Sequence, residues 1–248
     1  MSIKIAIAGA NGRMGQTLVR LAVQSSDTFE IMHRLHENSD LSDLDTDVLI
    51  DFTHPSALDK HLKTCCDKNI ALVLGTTGLS DKDEAAVKNA AQNVPIVYSA
   101  NFSIGVNVLA QMTEKLSAVL DDSFDIEIIE AHHKHKKDAP SGTALMLGRA
   151  AATGRNVEFK DRAVLSRALK DDKGDIGARK QGDIGFSTIR GGEIIGEHTV
   201  MYIGDHERIE ISHKANDRAL FAQGALTAAK WAKTADNGLY SMHDVLNL

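Results

Sequence analysis

The chain is 248 residues long, 43% hydrophobic, 25% charged and 4% aromatic, with a formal net charge of −6. Such a composition excludes disordered and collagen-like chains, and the length suffices to bury a full core in one large α/β domain or two modest ones. The acidic balance excludes a general nucleic-acid binder, which needs basic groups to neutralise phosphates, so an anionic ligand has to meet a local positive site.

Ile3 to Ala8 reads as a short buried strand ending at Gly9, and Met14 to Gln24 follows with apolar residues at helical spacing. Phe29 to Leu35 is a weaker second strand and Asp47 to Phe52 a strong third, after which Pro55 opens another helix. Strands over Ile70 to Leu74 and Pro95 to Tyr98 alternate with helices near 56–68 and 80–92. Alternation of this kind predicts a Rossmann-like, doubly wound parallel sheet. After about Asn101 the pattern changes: Gly105 to Leu120 predicts one long helix, Phe124 to Ala131 a strand, and Ser141 to Ala152 a second helix opened by Pro140. From Gly182 to Ala215 strand-like runs dominate, with hairpin signals at Gly191-Gly192 and Gly204-Asp205. An antiparallel meander is expected there, rather than another strand–helix–strand unit. Ala168 to Gly182, rich in Lys, Asp and Gly, reads as a mobile loop, and Ala219 to Lys233 as an alanine-rich helix able to return over the first domain.

No apolar stretch approaches the length that spans a bilayer, and Met1-Ser2-Ile3-Lys4 runs into a strand without the layout of a signal peptide. A cytoplasmic protein with no membrane or nucleic-acid partner is the expectation. Cys65 and Cys66 are adjacent, where a mutual bridge is strained and staples nothing, and they lack the two-residue gap of a redox or metal pair.

Gly9-Ala10-Asn11-Gly12-Arg13-Met14-Gly15 falls where the first strand turns into the first helix. Glycines there allow close backbone approach, and the helix start offers amides and a positive dipole to a pyrophosphate. Asn11 stands where the usual fingerprint has its middle glycine, and Asn tolerates the left-handed conformation. The plain alternative is a turn without a ligand. At the end of the second strand, His36 and Glu37 with nearby Arg34 are the candidates for adenosine ribose. A carboxylate there favours NAD and a base favours NADP, so the two signs leave NADH or NADPH open. Gly75, Thr76 and Thr77, and then Ser99, Ala100, Asn101 and Phe102, end two further strands at the same carboxyl edge.

The densest constellation joins a strand to a helix: Glu130, Ala131, His132, His133, Lys134, His135, Lys136, Lys137, Asp138, Ala139, Pro140, Ser141, Gly142, Thr143. Its histidines and lysines suit carboxylate or phosphate binding and proton transfer, and a lysine crowded by cations can titrate nearer neutrality. A solvated basic loop is one alternative. A zinc site from His132, His133 and His135 is another, disfavoured by the neighbouring ammonium groups, so no metal is expected.

The run EAHHKHKKDAPSGTA from Glu130 to Ala144 resembles the substrate-site signature of the 4-hydroxy-tetrahydrodipicolinate (dihydrodipicolinate) reductases. GANGRMG at 9–15, DFTHP at 51–55, GTTG at 75–78, ANFSIGVN at 100–107 and GEHTVMY at 196–202 match in the same order. The resemblance implies an oxidoreductase of diaminopimelate and lysine biosynthesis that uses NADH or NADPH to reduce a cyclic dicarboxylate with loss of water. It implies a dinucleotide-binding domain over 1–103 completed by 216–248, and over 104–215 a substrate-binding and tetramerisation domain, α+β with a mixed or antiparallel sheet. By position His132 and Lys136 match the catalytic pair, while His133, Ser141, Gly142, Thr143 and Arg218 match the substrate contacts. The segment from His36 to Asp47 is shorter than in many members, which makes cofactor preference the least transferable property. Two rivals share the glycine turn: another amino-acid dehydrogenase, and a dinucleotide-binding sensor that needs no proton donor.

Overall fold

The computed structural model describes residues 2–167 and 176–248; positions 168–175 of the expected loop lie outside that description. In chain order the elements are β1 (Ile3–Ala8), α1 (Arg13–Gln24), β2 (Phe29–Leu35), β3 (Val48–Asp51), a 3₁₀ turn at Pro55–Ala57, α2 (Leu58–Lys68) and β4 (Ala71–Leu74). They continue with α3 (Asp81–Ala90), β5 (Pro95–Tyr98), α4 (Ile104–Val119), β6 (Asp125–His132), α5 (Gly142–Gly154), α6 (Phe159–Arg162) and β7 (Ala163–Val164). The remainder is β8 (Ile184–Arg190), β9 (Glu197–Ile203), β10 (Arg208–Lys214), α7 (Ala219–Ala232), β11 (Gly238–Tyr240) and α8 (Met242–Leu246). Contacts divide the chain into two compact units, Met1–Ile104 with Ala219–Leu248, and Gly105–Arg218.

In the first unit all strands run parallel in the order β11-β5-β4-β3-β1-β2. Both faces are covered, which is why β3 and β4 are buried at every position and read as unbroken apolar runs. Helices α1 and α7 pack one face against Ile5, Ile7, Val48 and Val73, while α2 and α3 cover Leu49, Leu72 and Ile96 on the other. Helix α7 approaches closely because Gly224 has no side chain: a Cβ there would lie 1.7 Å from the Phe102 carbonyl oxygen. Strand β11 and helix α8 escape sequence reading. A three-residue strand carries no periodicity, and β11 exists because β5 offers it a parallel ladder.

In the second unit the order is β10-β9-β6-β8-β7. Strand β6 pairs β8 in parallel and β9 antiparallel, so the sheet is mixed. The expected meander is therefore corrected. Among the described residues only β9 and β10 form a hairpin; β6 lies between β8 and β9, and the β6-α5-β8 connection is the strand–helix–strand unit that was not expected. Gly191-Gly192 is not a hairpin tip, because its amide and carbonyl are bonded to His132 O and Lys134 N past the end of β6. Alternate residues of the sheet, among them Ile128, Phe186, Val200 and Tyr202, pack on Leu109 and Ala110 of α4 and on Ala144, Leu147 and Ala151 of α5. Among the described residues no helix is long and apolar enough to cross a membrane.

Candidate active site

In the first unit the loops after β1, β3, β4 and β5 leave the sheet at its carboxyl edge, where open parallel sheets bind ligands. The chain steps from β2 across β1 to β3, so the strand order reverses beside β1. Gly9 takes φ +72°, the left-handed value that favours glycine, and Gly12 caps α1 with no side-chain hydrogen bond. The positive φ falls on Gly9 and not on Asn11, which corrects the reason given for the turn. Gly15 is required for another reason: a Cβ there would lie 2.2 Å from Gly9 O. The start of α1, with Ala10, Arg13 and Met14, is thus held close beneath a turn free of side-chain caps. Ala10 N donates to Leu35 O at 3.1 Å, which brings the exposed His36 and Glu37 next to the glycine turn. A one-residue bulge in β2 between Ile31 and His33 switches the faces that follow, and Arg34 points to the α1 side beside Ala22 and Val23.

Thr76 is buried and Thr77 exposed, while Gly75 has no room for a Cβ because Phe52 would meet it at 2.2 Å. Ser99 accepts from Asn101 N, and the Asn101 side chain accepts from Ser103 N at 2.9 Å, which shapes the turn around exposed Ala100. Phe102 is 1% exposed and its ring packs edge-to-face on Phe52 at 5.2 Å, forming the wall behind the loop.

In the second unit the histidine-rich run begins at the end of β6. Glu130 is fully buried and is the hub. Its Oε2 accepts from His132 Nδ1 at 2.6 Å, and Arg190 donates to both oxygens at 2.8 Å. Ser141 N and Thr188 Oγ1 also donate to Oε1, at 3.1 and 3.3 Å. Burial pushes the Glu130 carboxyl up, but Arg190 and His132 outweigh it and hold the group below its ordinary value. Burial lowers the His132 imidazole below its usual range; Glu130 opposes that shift, and Lys136 and Arg190 add to it. With Nδ1–H on Glu130, the acceptor or donor left for chemistry is Nε2. Gly196 keeps that nitrogen clear, since a Cβ there would stand 3.2 Å from it.

His198, from β9, packs edge-to-face on His132 at 5.1 Å and is driven down to about 4, first by burial and then by the charge of His132. Lys136 Nζ lies 2.8 Å from Asp138 Oδ2, and Arg190 also donates to Asp138 O at 2.7 Å, so the cationic loop is tied to the same guanidinium as Glu130. The lysine is therefore matched by a carboxylate and is not simply crowded by cations. His133 has a buried Nδ1 with no hydrogen-bond partner among the described residues, and its ring lies 6.2 Å from that of His135.

Helix α5 starts one residue after Ser141. Pro140 lies outside it, and the helix is opened by Ser141 Oγ, which accepts from Ala144 N at 3.1 Å. Ser141 is 2% exposed with its hydroxyl also 3.0 Å from His198 Nε2, so it is built into the frame of the site beside Gly142. Gly142 is exposed and a Cβ there would meet nothing within 4 Å, which leaves its amide approachable; Thr143 follows, half-buried. Arg218 is exposed at the last position of the unit. The sequence expectation named His132 and Lys136 and did not name Arg190 or His198, which the structure brings against the same Glu130–His132 cluster. The GEHTVMY segment was the available signal for His198, and nothing local marks Arg190, 60 residues from its partner.

A parallel sheet with a glycine turn at its carboxyl edge, followed by a unit carrying a His–carboxylate–guanidinium cluster, defines a pyridine-nucleotide-dependent oxidoreductase. The family models described as dihydrodipicolinate reductase, N-terminus and C-terminus, match residues 3–102 and 105–246. The chain belongs to the dihydrodipicolinate reductase family. A curated 4-hydroxy-tetrahydrodipicolinate reductase from Acinetobacter baumannii is 44% identical over 268 positions, covering 99% of this chain and 96% of its own length. Among solved structures, the dipicolinate-bound dihydrodipicolinate reductase from Paenisporosarcina sp. TG-14 aligns with a TM-score of 0.71 at 23% identity, covering 97% of this chain and 98% of that one. The myo-inositol 2-dehydrogenase from Lactobacillus plantarum aligns at 0.57 and 9% identity, covering 99% and 94%, a likeness of fold alone.

Proposed function

We propose that this chain reduces 4-hydroxy-tetrahydrodipicolinate to tetrahydrodipicolinate with loss of water, drawing on NADH or NADPH. The observation that carries the reading is the Glu130 hub: one buried carboxylate orients His132 and, through Arg190, the loop bearing Lys136, beside the start of α5. Helix starts favour anions, so Gly142 and Thr143 suit a substrate carboxylate, with the His133 ring and the Arg218 guanidinium as further contacts for a dicarboxylate.

The glycine turn fits a dinucleotide, because Gly9 and Gly12 bring no side chain to it and the start of α1 carries no side-chain cap, which leaves its amides for a pyrophosphate. Gly9, Ala10, Asn11, Gly12, Arg13 and Met14 would hold it there; His36 and Glu37 would face the adenosine, Arg34 being turned away toward Ala22 and Val23, and Gly75, Thr76, Thr77, Ser99, Ala100 and Asn101 would face the nicotinamide. When bound, the cofactor supplies hydride to the ring carbon conjugated with nitrogen. Charge then develops on that nitrogen, and Lys136 with His132 supplies the proton and the compensating positive field. That help is stronger in the transition state than in the ground state, which is the condition for rate enhancement. The Glu130 bond fixes His132 with Nε2 turned outward, so its proton is delivered or taken at one stated atom.

Both electropositive sites on an acidic chain suit small anions and not nucleic acid. The family resemblance also supports a homotetramer and a cytoplasmic setting. The test couples a dihydrodipicolinate synthase with pyruvate and aspartate semialdehyde to this protein and follows loss of reduced-nicotinamide absorbance with NADH and with NADPH. Oxidation that depends on the synthase is expected. Its absence with both cofactors overturns the reading.

A further inference from the structure

Asp51 is 1% exposed at the last position of β3, and neither hydride nor proton transfer uses it. A buried carboxylate is costly unless every lone pair is engaged, so what engages it is informative. Its Oδ2 accepts from His61 Nδ1 at 2.6 Å, a buried histidine of α2. Its Oδ1 accepts from Thr53 N at 2.9 Å, Thr53 Oγ1 at 2.6 Å and Thr76 Oγ1 at 3.4 Å. Its backbone carbonyl accepts from Gly75 N at 2.8 Å. The Thr53 hydroxyl being committed to Asp51, its methyl is turned toward the glycine turn: a Cβ placed on Gly9 would meet that methyl at 3.0 Å. One carboxylate thus fixes the loop after β3 and the loop after β4, and through Thr53 it abuts the loop after β1. These three loops border the point where strand order reverses, the crevice in which such sheets bind nucleotides.

We infer that Asp51 and His61 are positioning residues for the dinucleotide, acting through Thr53 and Thr76 to hold the glycine turn and the Gly75–Gly78 loop in binding-competent form. The inference rests on the proposed use of this edge for NADH or NADPH. Preorganised loops save the ordering cost at binding, so loosening them weakens affinity without removing any group that touches the ligand.

The test is calorimetric titration of NADH and NADPH into the full-length protein and four variants, with a thermal melt of each. Thr53→Val keeps the methyl group and loses the hydroxyl, and is expected to weaken dinucleotide affinity roughly tenfold, as is Asp51→Asn if it folds. Thr53→Ser keeps the hydroxyl and is expected to stay within about twofold of the parent. Thr46→Val is the control: Thr46 is buried, and its hydroxyl also bonds the frame, to Lys4 O at 2.8 Å, but at the opposite end of β3. It should lower the melting temperature and leave affinity alone. If Thr53→Val binds as tightly as the parent, or if Thr46→Val weakens binding equally, the pair is structural only and the inference falls. Failure of the parent to bind either dinucleotide would instead overturn the proposed function and the inference with it.

Discussion

Lys136 and Thr143 are assigned different work, and kinetics separates them. Lys136→Ala removes a cation required as charge develops, so kcat should fall by roughly 10²–10⁴ with a smaller change in KM. Thr143→Val removes a contact made before and during reaction, so KM should rise with kcat nearly constant, at a cost of about 1.5–3 kcal/mol. A rise in KM alone for Lys136→Ala would leave proton delivery to His132. Acid stability offers a second check at this scale. His198 is 4% exposed and held near 4, against 6.5 for an ordinary histidine. Below 6.5 the unfolded chain binds a proton that the folded one refuses, so stability is full above that value and declines as pH falls towards 4, by about 3 kcal/mol. His213, lowered by burial, and His132 act with the same sign, whereas Glu130 and Asp51 contribute only below their own ordinary carboxylate range. Urea titrations of His198→Gln at pH 7 and pH 5 should show a shallower decline than the parent; parallel declines would remove His198 as the source. His132 and Lys136 could be singled out as candidates because they sit in one continuous run. Arg190 could not be, because its reason for being there is a carboxylate on another strand.

Elements were legible where burial imposes a pattern on one segment. Strands β3 and β4 carry it most fully, being buried at every position, while the edge strand β2 alternates with exposed residues; the boundaries of β1 to β5 follow from the sequence within about two residues, the usual uncertainty of helix and strand ends. The error in the second unit came from pairing. Strands β8 and β9 look like neighbours because Gly191-Gly192 lies between them, yet β6 outcompetes the hairpin by accepting both partners. The glycine turn shows how the same motif divides its labour by position. Gly15→Ala drives a Cβ to 2.2 Å from Gly9 O and 2.6 Å from Ala10 Cα, both backbone, so the turn itself must shift. Overpacking of that kind costs about 1–3 kcal/mol, and both the melting temperature and dinucleotide affinity should drop. Gly12 has φ −72° and its Cβ would stand 3.2 Å from Gly9 O, so the backbone tolerates a side chain there better than the motif alone suggests. Gly12→Val should therefore weaken cofactor binding through steric exclusion while the protein stays folded. Calorimetry with circular dichroism checks both, and unchanged affinity in Gly12→Val would take this turn out of the binding site.

At the scale of the whole molecule, a single sequence cannot display a self-complementary surface, since any row of strand residues facing away from the core reads as solvent-exposed. The second unit gives that row a shape. Helices α4 and α5 occupy one face of its sheet, and on the other Ala131 pairs with Ile189 while Ile129 stands beside them on β6. Ile189 is 51% exposed, although a sheet face meant for water alternates to polar residues. Around this apolar patch lie Glu197 and Lys214 in one cross-strand row and Glu210 beside Met201 in another, an apolar centre with a charged rim of the kind found at subunit interfaces. The proposed tetramer is expected to use this face for contact between copies. Ile189→Asp buries an unpaired charge only in the assembly and none in the isolated chain, so the folded unit should survive while the oligomer dissociates. Light scattering coupled to size exclusion should report a tetramer for the parent and a smaller species for Ile189→Asp, with equal far-ultraviolet circular dichroism. A parent that is monomeric, or a variant that remains tetrameric, would show that this face is not where copies meet.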